Sequence, residues 1–270
     1  MSWLVAAVLG IVQGATEFLP ISSSGHLVIF RELLHAQPQQ WLAFVVITHF
    51  GTLLAVVAYY RQDFARMLRS LFVWSASKPS QQKQLTAGRR LVGLLIIGTI
   101  PAALAGLLLE EQIENLFDSL PAVGIALIMT GLILLAVNWL AGRKEQRQTT
   151  AFDALLIGTA QAVALVPGIS RSGLTIAAGL GRGLHRDWAP QFAFLLSAPV
   201  ILGGTVFQII KLVQNPVSSQ QLGIYLLGGL TAAISGYFAV HLVVRVVRAG
   251  NLIYFSGYCI LVGIITIVIG

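Results

Sequence analysis

The chain has 270 residues, of which 56% are hydrophobic and only 10% charged, with a mean hydropathy of +0.83. Soluble domains carry about 25% charged residues, so the composition excludes a soluble globular protein and indicates an all-α polytopic membrane protein. The net charge of +7 would suit a nucleic-acid partner, but the positive residues sit in loops between apolar runs, which excludes that class.

The first apolar segment, 4–30, has no basic flank and contains Gln13, Glu17 and Pro20, so it is not expected to be a cleavable signal peptide. Nearly charge-free windows follow at 41–60, 91–109, 121–140, 189–210, 222–243 and 251–270. Each is long enough to cross about 30 Å of hydrocarbon at 1.5 Å per residue. The single cysteine, Cys259, lies inside the last of these, which excludes disulfides and cysteine metal clusters.

The loops between these windows set an orientation. Segment 61–90 holds Arg61, Arg66, Arg69, Lys78, Lys83, Arg89 and Arg90 against Asp63 alone, and is read as a flexible connection drawn to anionic lipid. Further positives fall at Arg143, Lys144 and Arg147, at Arg182 and Arg186, and at Arg245 and Arg248, whereas 110–120 is acidic. The positive-inside rule places 61–90, 141–152, 181–188 and 244–250 in the cytoplasm.

Segment 153–180 then has cytoplasmic flanks on both sides. It must enter and leave on one face, as a re-entrant helical hairpin broken at Pro167-Gly168. The segment 4–30 is read the same way, because the two share a frame. Gly10 to His26 aligns without gaps on Gly158 to Leu174, with Gln13/Gln161, Ile21/Ile169, Ser22/Ser170, Ser24/Ser172 and Gly25/Gly173 coinciding. A second echo, offset by 130, matches Gly93, Gly98, Ala102, Ala103 and Gly106 to Gly223, Gly228, Ala232, Ala233 and Gly236. The chain is therefore expected to form one integral membrane domain, residues 1–270, as an inverted-topology repeat of about 1–142 and 150–270. It would hold six transmembrane helices plus two re-entrant helical hairpins, with both termini outside and a binding site at the repeat interface.

The differences between the two frames carry the chemistry. The first holds Glu17 and His26; the second holds Arg171 where the first has Ser23. Ionisable groups inside a membrane are costly unless paired or functional. Glu17 and Arg171 could form a buried ion pair that only locks the hairpins together. The neighbouring residues favour function: Ser22, Ser23, Ser24 and Gly25 form a donor-rich turn, and Ser170, Ser172, Gly173 and Thr175 its counterpart. Such turns cradle anions, and an arginine fork adds bidentate contact to phosphate oxygens. A carboxylate and an imidazole beside that pocket suit phosphoryl transfer. His26 follows the serine turn directly, whereas His35, His49, His185 and His241 are read as structural donors.

These residues resemble a known family, the bacterial undecaprenyl-diphosphatases, also called bacitracin-resistance proteins. The family's Glu/Gln-x-x-x-Glu motif corresponds to Gln13-Gly-Ala-Thr-Glu17, and its Pro-Gly-x-Ser-Arg-Ser-x-x-Thr motif to Pro167 through Thr175. The resemblance implies hydrolysis of undecaprenyl diphosphate to undecaprenyl phosphate and inorganic phosphate. That reaction recycles the lipid carrier for peptidoglycan synthesis and confers bacitracin resistance. It also implies a bacterial cytoplasmic (inner) membrane location, a site open to the outer, periplasmic face, and dependence on a divalent cation, Mg2+ or Ca2+.

Carried over by position, Glu17 would be the essential carboxylate, as base or metal ligand, with Gln13 beside it as a second ligand for the metal. His26 would be the catalytic histidine and Arg171 would hold phosphate charge. Ser22, Ser23, Ser24, Gly25, Ser170, Ser172, Gly173 and Thr175 would line the substrate. Gln13 stands where many members have glutamate, and an amide cannot act as a base. The attacking atom is left open between Ser23, His26 and water. The expected partners are the polyprenyl diphosphate and the surrounding lipids, with a homodimer as an open alternative. A lipid-carrier or anion transporter on the same scaffold is the rival reading, although it would need neither Glu17 nor His26. Ser24-Gly25-His26 also resembles an element of type-2 phosphatidic acid phosphatases, but the Lys-x6-Arg-Pro run is absent and Ala177 stands where that class has histidine.

Overall fold

The computed structural model describes residues 1–34, 36, 41–117, 119–140, 148–213 and 218–269, and every regular element among them is a helix. In chain order these are α1 (Trp3–Phe18), α2 (Ser23–Leu33), α3 (Trp41–Tyr59), α4 (Arg61–Phe72), α5 (Pro79–Leu108) and α6 (Glu110–Leu116). There follow α7 (Leu120–Leu140), α8 (Ala151–Val163), α9 (Arg171–Gly181), α10 (Trp188–Val213), α11 (Ser219–Ala249) and α12 (Ile253–Ile269). By length and composition α5, α7, α10 and α11 are able to cross a membrane, and α3 with α4, bent by 83° at their junction, makes a fifth. Over the last expected span, 251–270, lies α12, a 17-residue apolar helix shorter than the four helices able to cross by themselves. Leu104, Leu107, Ile125, Leu226, Phe238 and Ile264 face outward, as lipid rather than water requires. The chain is a multi-pass membrane protein.

Both expected hairpins are helix–break–helix units whose arms pack together, α1 on α2 and α8 on α9. The first break follows from Pro20: the residue before a proline is pushed out of the helical region, and Leu19 is extended at φ −62°, ψ 138°. The second spans 164–170 and turns at Gly168, whose φ of +92° a side chain would strain. Helix α8 starts from a capping box, in which Thr150 and Asp153 satisfy one another's backbone N–H groups.

One expectation is corrected. Segment 61–90 is not a flexible connection: α4 covers its first part and α5 begins at Pro79. The sequence signals were present, with proline at the first helical position and a strongly amphipathic α4 carrying Asp63 in its first turn and Arg69 in its last. Arg89 then ties the two helices together by donating to the carbonyls of Ser70, Val73 and Trp74. Similarly, the basic segment 244–250 continues α11 to Ala249. Residues 141–147 and His35 lie outside the described residues.

The pairing of the long helices follows the sequence echoes. Helix α1 packs along α11, and its counterpart α8 along α5; α3 also packs on α11, and α10 on α5; α3 meets α10, and α7 meets α12. Two of the closest approaches fall at matched glycines. A Cβ on Gly10 would stand 2.2 Å from the Gly228 carbonyl oxygen, and one on Gly158 would stand 2.2 Å from that of Gly98. Only glycine lets these backbones come so near.

Among the described residues, the basic segments 61–90, 181–188 and 244–250 come together at one end with residues 148 and 149. Arg90 donates to Gln148 and to the Thr149 carbonyl, Trp188 donates to Thr149, and Gln191 donates to Asp63. There too Arg182 pairs with Asp153 at 2.8 Å, and Arg248 pairs with Asp187.

Candidate active site

Glu17 is the penultimate residue of α1, four residues after Gln13 and therefore on the same face of the helix. Ser23 opens α2 and Arg171 opens α9. The fold brings the three termini to one point. The Arg171 guanidinium donates to Glu17 Oε1, while Glu17 Oε2 accepts from Gln13 Nε2 at 2.7 Å and from Ser23 Oγ at 2.5 Å. The Glu17 side chain is 2% exposed. An unpaired charge so placed would cost several kcal/mol, so Arg171 on one edge and two donors on the other are what let it remain there. The two edges are thus divided between a cation and two neutral donors, an amide and a hydroxyl.

The serine turns are built alike in the two frames. Ser22 Oγ lies 3.2 Å from Ser24 Oγ and accepts from Gly25 N at 3.3 Å; Ser170 Oγ lies 3.2 Å from Ser172 Oγ and accepts from Gly173 N at 3.1 Å. Ser22 and Ser170 are the N-caps of α2 and α9. Their hydroxyls satisfy backbone donors, as Thr175 Oγ1 satisfies the Arg171 carbonyl. The N–H groups at the very start of each helix have no intrahelical partner and remain for an anion. Ser22 adopts φ +69°, the one non-glycine residue in that region among those described. Such strain persists only where the surroundings impose it.

The breaks also touch each other reciprocally. Gly25 faces Gly168 and Gly173 faces Pro20, pairs that exchange under the 148-residue offset, and Ser172 Oγ donates to the Leu19 carbonyl. Two outer helices hold the breaks in place. Thr130 of α7 donates to Gly168 O and accepts from Ser170 N; Cys259 of α12 reaches Pro20 O.

His26 lies in α2, buried, with Nδ1 2.7 Å from the Ser22 carbonyl and Nε2 2.7 Å from the Tyr258 hydroxyl. A carbonyl only accepts, so Nδ1 carries the proton and Nε2 of the neutral ring accepts from Tyr258. Both nitrogens are therefore engaged away from Glu17.

A family model described as bacitracin resistance protein BacA matches residues 6–265. The chain belongs to this family. It is 39% identical over 272 residues to the undecaprenyl-diphosphatase of Carboxydothermus hydrogenoformans, covering 100% of this chain and 98% of that protein. It is 40% identical over 270 residues to the undecaprenyl-diphosphatase of Hahella chejuensis, covering 97% and 96%. It is 37% identical over 261 residues to undecaprenyl-diphosphatase 1 of Bacillus licheniformis, covering 96% and 95%.

In this BacA-family chain two side chains join the site that the sequence had not singled out. His49, taken as a structural donor, stands on α3 with Nε2 3.8 Å from Glu17 Oε2. A polar residue in the apolar run 41–60 was the available signal. Tyr258 offered none, since an aromatic residue near the end of an apolar helix is ordinary. His185, 3.4 Å from Asp187, and His241, packed on Tyr59, stay outside the site.

Proposed function

We propose that this chain hydrolyses undecaprenyl diphosphate to undecaprenyl phosphate and inorganic phosphate, recycling the carrier lipid for peptidoglycan synthesis and conferring bacitracin resistance. The observation that carries the reading is the meeting of Glu17, Ser23 and Arg171 across two helix breaks, in a chain whose relatives bear the name of that enzyme. An acid, a hydroxyl and a guanidinium at one buried point are what a phosphoanhydride hydrolase needs, and more than an anion carrier would use.

In this mechanism the Arg171 fork and the first-turn amides of α2 and α9 take the phosphate oxygens, as helix N-termini do, with Ser24, Gly25, Ser172, Gly173 and Thr175 forming the walls. Ser22 and Ser170 shape the turns as caps. Once Arg171 turns to the phosphate, Glu17 Oε2 is free to take the Ser23 proton. Ser23 Oγ bonds to the terminal phosphorus, the bond to the bridging oxygen breaks, and undecaprenyl phosphate leaves with the electron pair. Water then attacks the phosphoserine phosphorus, giving its proton to His26 Nε2 once the Tyr258 hydroxyl has released that nitrogen, and the imidazole passes the proton to solvent. Ser23 leaves as an alkoxide and regains its proton from Glu17.

A divalent cation fits the donors present. Glu17 supplies a carboxylate, and the buried Gln13 Oε1 has no hydrogen-bond partner among the described residues. Both are hard oxygen donors of the kind such ions prefer. The chemistry it would add is neutralisation of diphosphate charge.

We read the fold as an inverted repeat of six spans and two re-entrant hairpins. The glycine contacts Gly10–Gly228 and Gly158–Gly98 support this, being exchanged by the two sequence offsets. So do the reciprocal contacts of the breaks. The gathering of segments 61–90, 181–188 and 244–250 at one end, with residues 148 and 149 among them, supports a cytoplasmic placement of that end in a bacterial inner membrane. The termini and the site opening then lie at the periplasmic face.

The test is phosphate release from a polyprenyl diphosphate by the purified protein in detergent, with and without divalent cation, beside Glu17→Gln. Cation-dependent release that the variant loses is the expected result. A well-folded wild-type protein that releases none would favour the transporter reading.

A further inference from the structure

A cavity of about 940 Å³ opens at the basic end of the molecule. Helix α4 and the start of α5 form one side, and Gln148, Thr149 and the start of α10 form the other. Neither serine turn contributes to it. Its walls join the first half of the chain to the second. The volume lies near the top of the range for small-molecule sites, far more than an inorganic anion fills.

Arg66, Lys83 and Arg90 line the cavity against one acid, Asp63. That acid is already engaged, accepting from Arg66 at 2.6 Å and from Gln191 at 3.1 Å. Arg90 is held by the Gln148 side chain and the Thr149 carbonyl. Both partners are neutral, so they fix a cation in the wall without cancelling its charge. Lys83 makes no hydrogen bond or ion pair among the described residues. Positive charge gathered in a concave wall and left uncompensated draws an anion, and charge-assisted hydrogen bonds then hold it.

The deeper part of the cavity is apolar. Met67, Leu91, Leu94 and Trp188 line it, and Met67 and Leu94 are buried. From Lys83 to Leu94 the α5 wall runs about 16 Å at 1.5 Å per residue. Trp188 donates through Nε1 to Thr149 Oγ1, with its ring on the apolar side, as tryptophan does at a membrane surface. Charge at the mouth and hydrocarbon at depth match a phospholipid, and basic pockets between membrane helices at the cytoplasmic face take acidic head groups. A soluble phosphate ester would leave the apolar depth empty, and a lipid of no net charge would leave Lys83 unanswered.

We propose that this cavity binds an acidic glycerophospholipid, whose phosphate meets Arg66, Lys83 and Arg90 and whose acyl chain lies on Met67, Leu91 and Leu94. The lipid comes from the leaflet at the end that the proposed orientation sets in the cytoplasm. It clamps α4 and α5 to α10, joining the two halves of the chain away from Glu17 and Arg171. The site goes beyond the hydrolysis proposed above and does not depend on it.

The experiment mixes the full-length protein in non-ionic detergent with phosphatidylglycerol, phosphatidylcholine or glycerol phosphate. Bound species are counted by native mass spectrometry, and the melting temperature is followed in parallel. Wild type should retain one phosphatidylglycerol that phosphatidylcholine does not displace, and should melt higher with it. Lys83→Gln removes an exposed, unpaired side chain and should fold as wild type. It should bind phosphatidylglycerol about fivefold more weakly, the scale of one charge near a lipid surface, and adding Arg66→Gln should weaken binding further. Arg245→Gln, at the same end but outside the cavity, should bind as wild type does. Wild type that retains no phosphatidylglycerol, or retention that Lys83→Gln leaves unchanged, overturns the proposal. Equal weakening in Arg245→Gln overturns it in favour of diffuse surface charge. Glycerol phosphate held as tightly as the lipid overturns it in favour of a soluble phosphate ester. Phosphate release is not the readout, so each of these failures is distinct from failure of the diphosphatase reading.

Discussion

Arg171 and Glu17 meet in a buried ion pair, and substitutions separate that structural role from the chemistry proposed for them. The guanidinium is a planar fork that matches phosphate oxygens in a bidentate way, which an ammonium cannot reproduce. Arg171→Lys keeps the positive charge beside Glu17, so the protein should fold with nearly its wild-type melting temperature. Phosphate release should nevertheless fall by about 100-fold or more, the scale seen when one oxyanion donor is removed. Turnover that survives in Arg171→Lys would reduce Arg171 to the partner of a buried carboxylate. The serines divide in a similar way: Ser23 faces Glu17, while Ser22 and Ser170 are tied up as caps. Their equal spacing in the sequence did not distinguish these roles, because capping depends on where each helix starts.

At the scale of elements, the fold rests on helix pairs that approach through glycine. In lipid there is no hydrophobic gain from bringing two helices together, so close packing has to supply the attraction. Gly10→Ala would set a methyl group 2.1 Å from Thr231 Oγ1 and 2.2 Å from the Gly228 carbonyl oxygen. It should destabilise the protein by about 1–3 kcal/mol, read as a lower melting temperature in detergent. Gly93→Ala, where nothing stands within 4 Å, should be neutral. Equal melting of the two variants would mean that α1 and α11 do not meet as described. The echo of small residues at an offset of 130 was visible in the sequence as a pattern. That Gly98 meets Gly158 while Gly228 meets Gly10 was not, since small residues reveal a packing face without naming its partner.

At the scale of the whole molecule, the charge distribution and the helix packing describe one object. Asp153, fully buried, binds Arg182 across the second hairpin, and Arg248 binds Asp187. The basic segments are thereby joined into a single end. Ser80 lies near that end at the start of α5, and Ser119 precedes α7 beyond the acidic helix α6. Cells carrying Ser119→Cys should react with a membrane-impermeant thiol reagent, and those carrying Ser80→Cys only after the membrane is opened. The buried Cys259 should stay silent in both. The reverse labelling would turn the protein over in the membrane and place the site opening on the cytoplasmic side.

The sequence by itself determined the membrane class, the two broken helix pairs and the polar residues Glu17, Ser23 and Arg171. These follow from local rules: hydropathy sets which segments enter lipid, proline and glycine set where helices break, and a costly charge in an apolar run marks a candidate site. It misjudged 61–90, where positive charge was weighed above the proline start and the amphipathic pattern of α4. Only the tertiary structure decided that His49 faces Glu17 across 32 residues of chain, that Tyr258 meets His26 across 232, and that Gln13 Oε1 is left dry. Such contacts depend on the rotation and height of one helix against another, which arise from packing over the whole bundle rather than from any segment's own preferences.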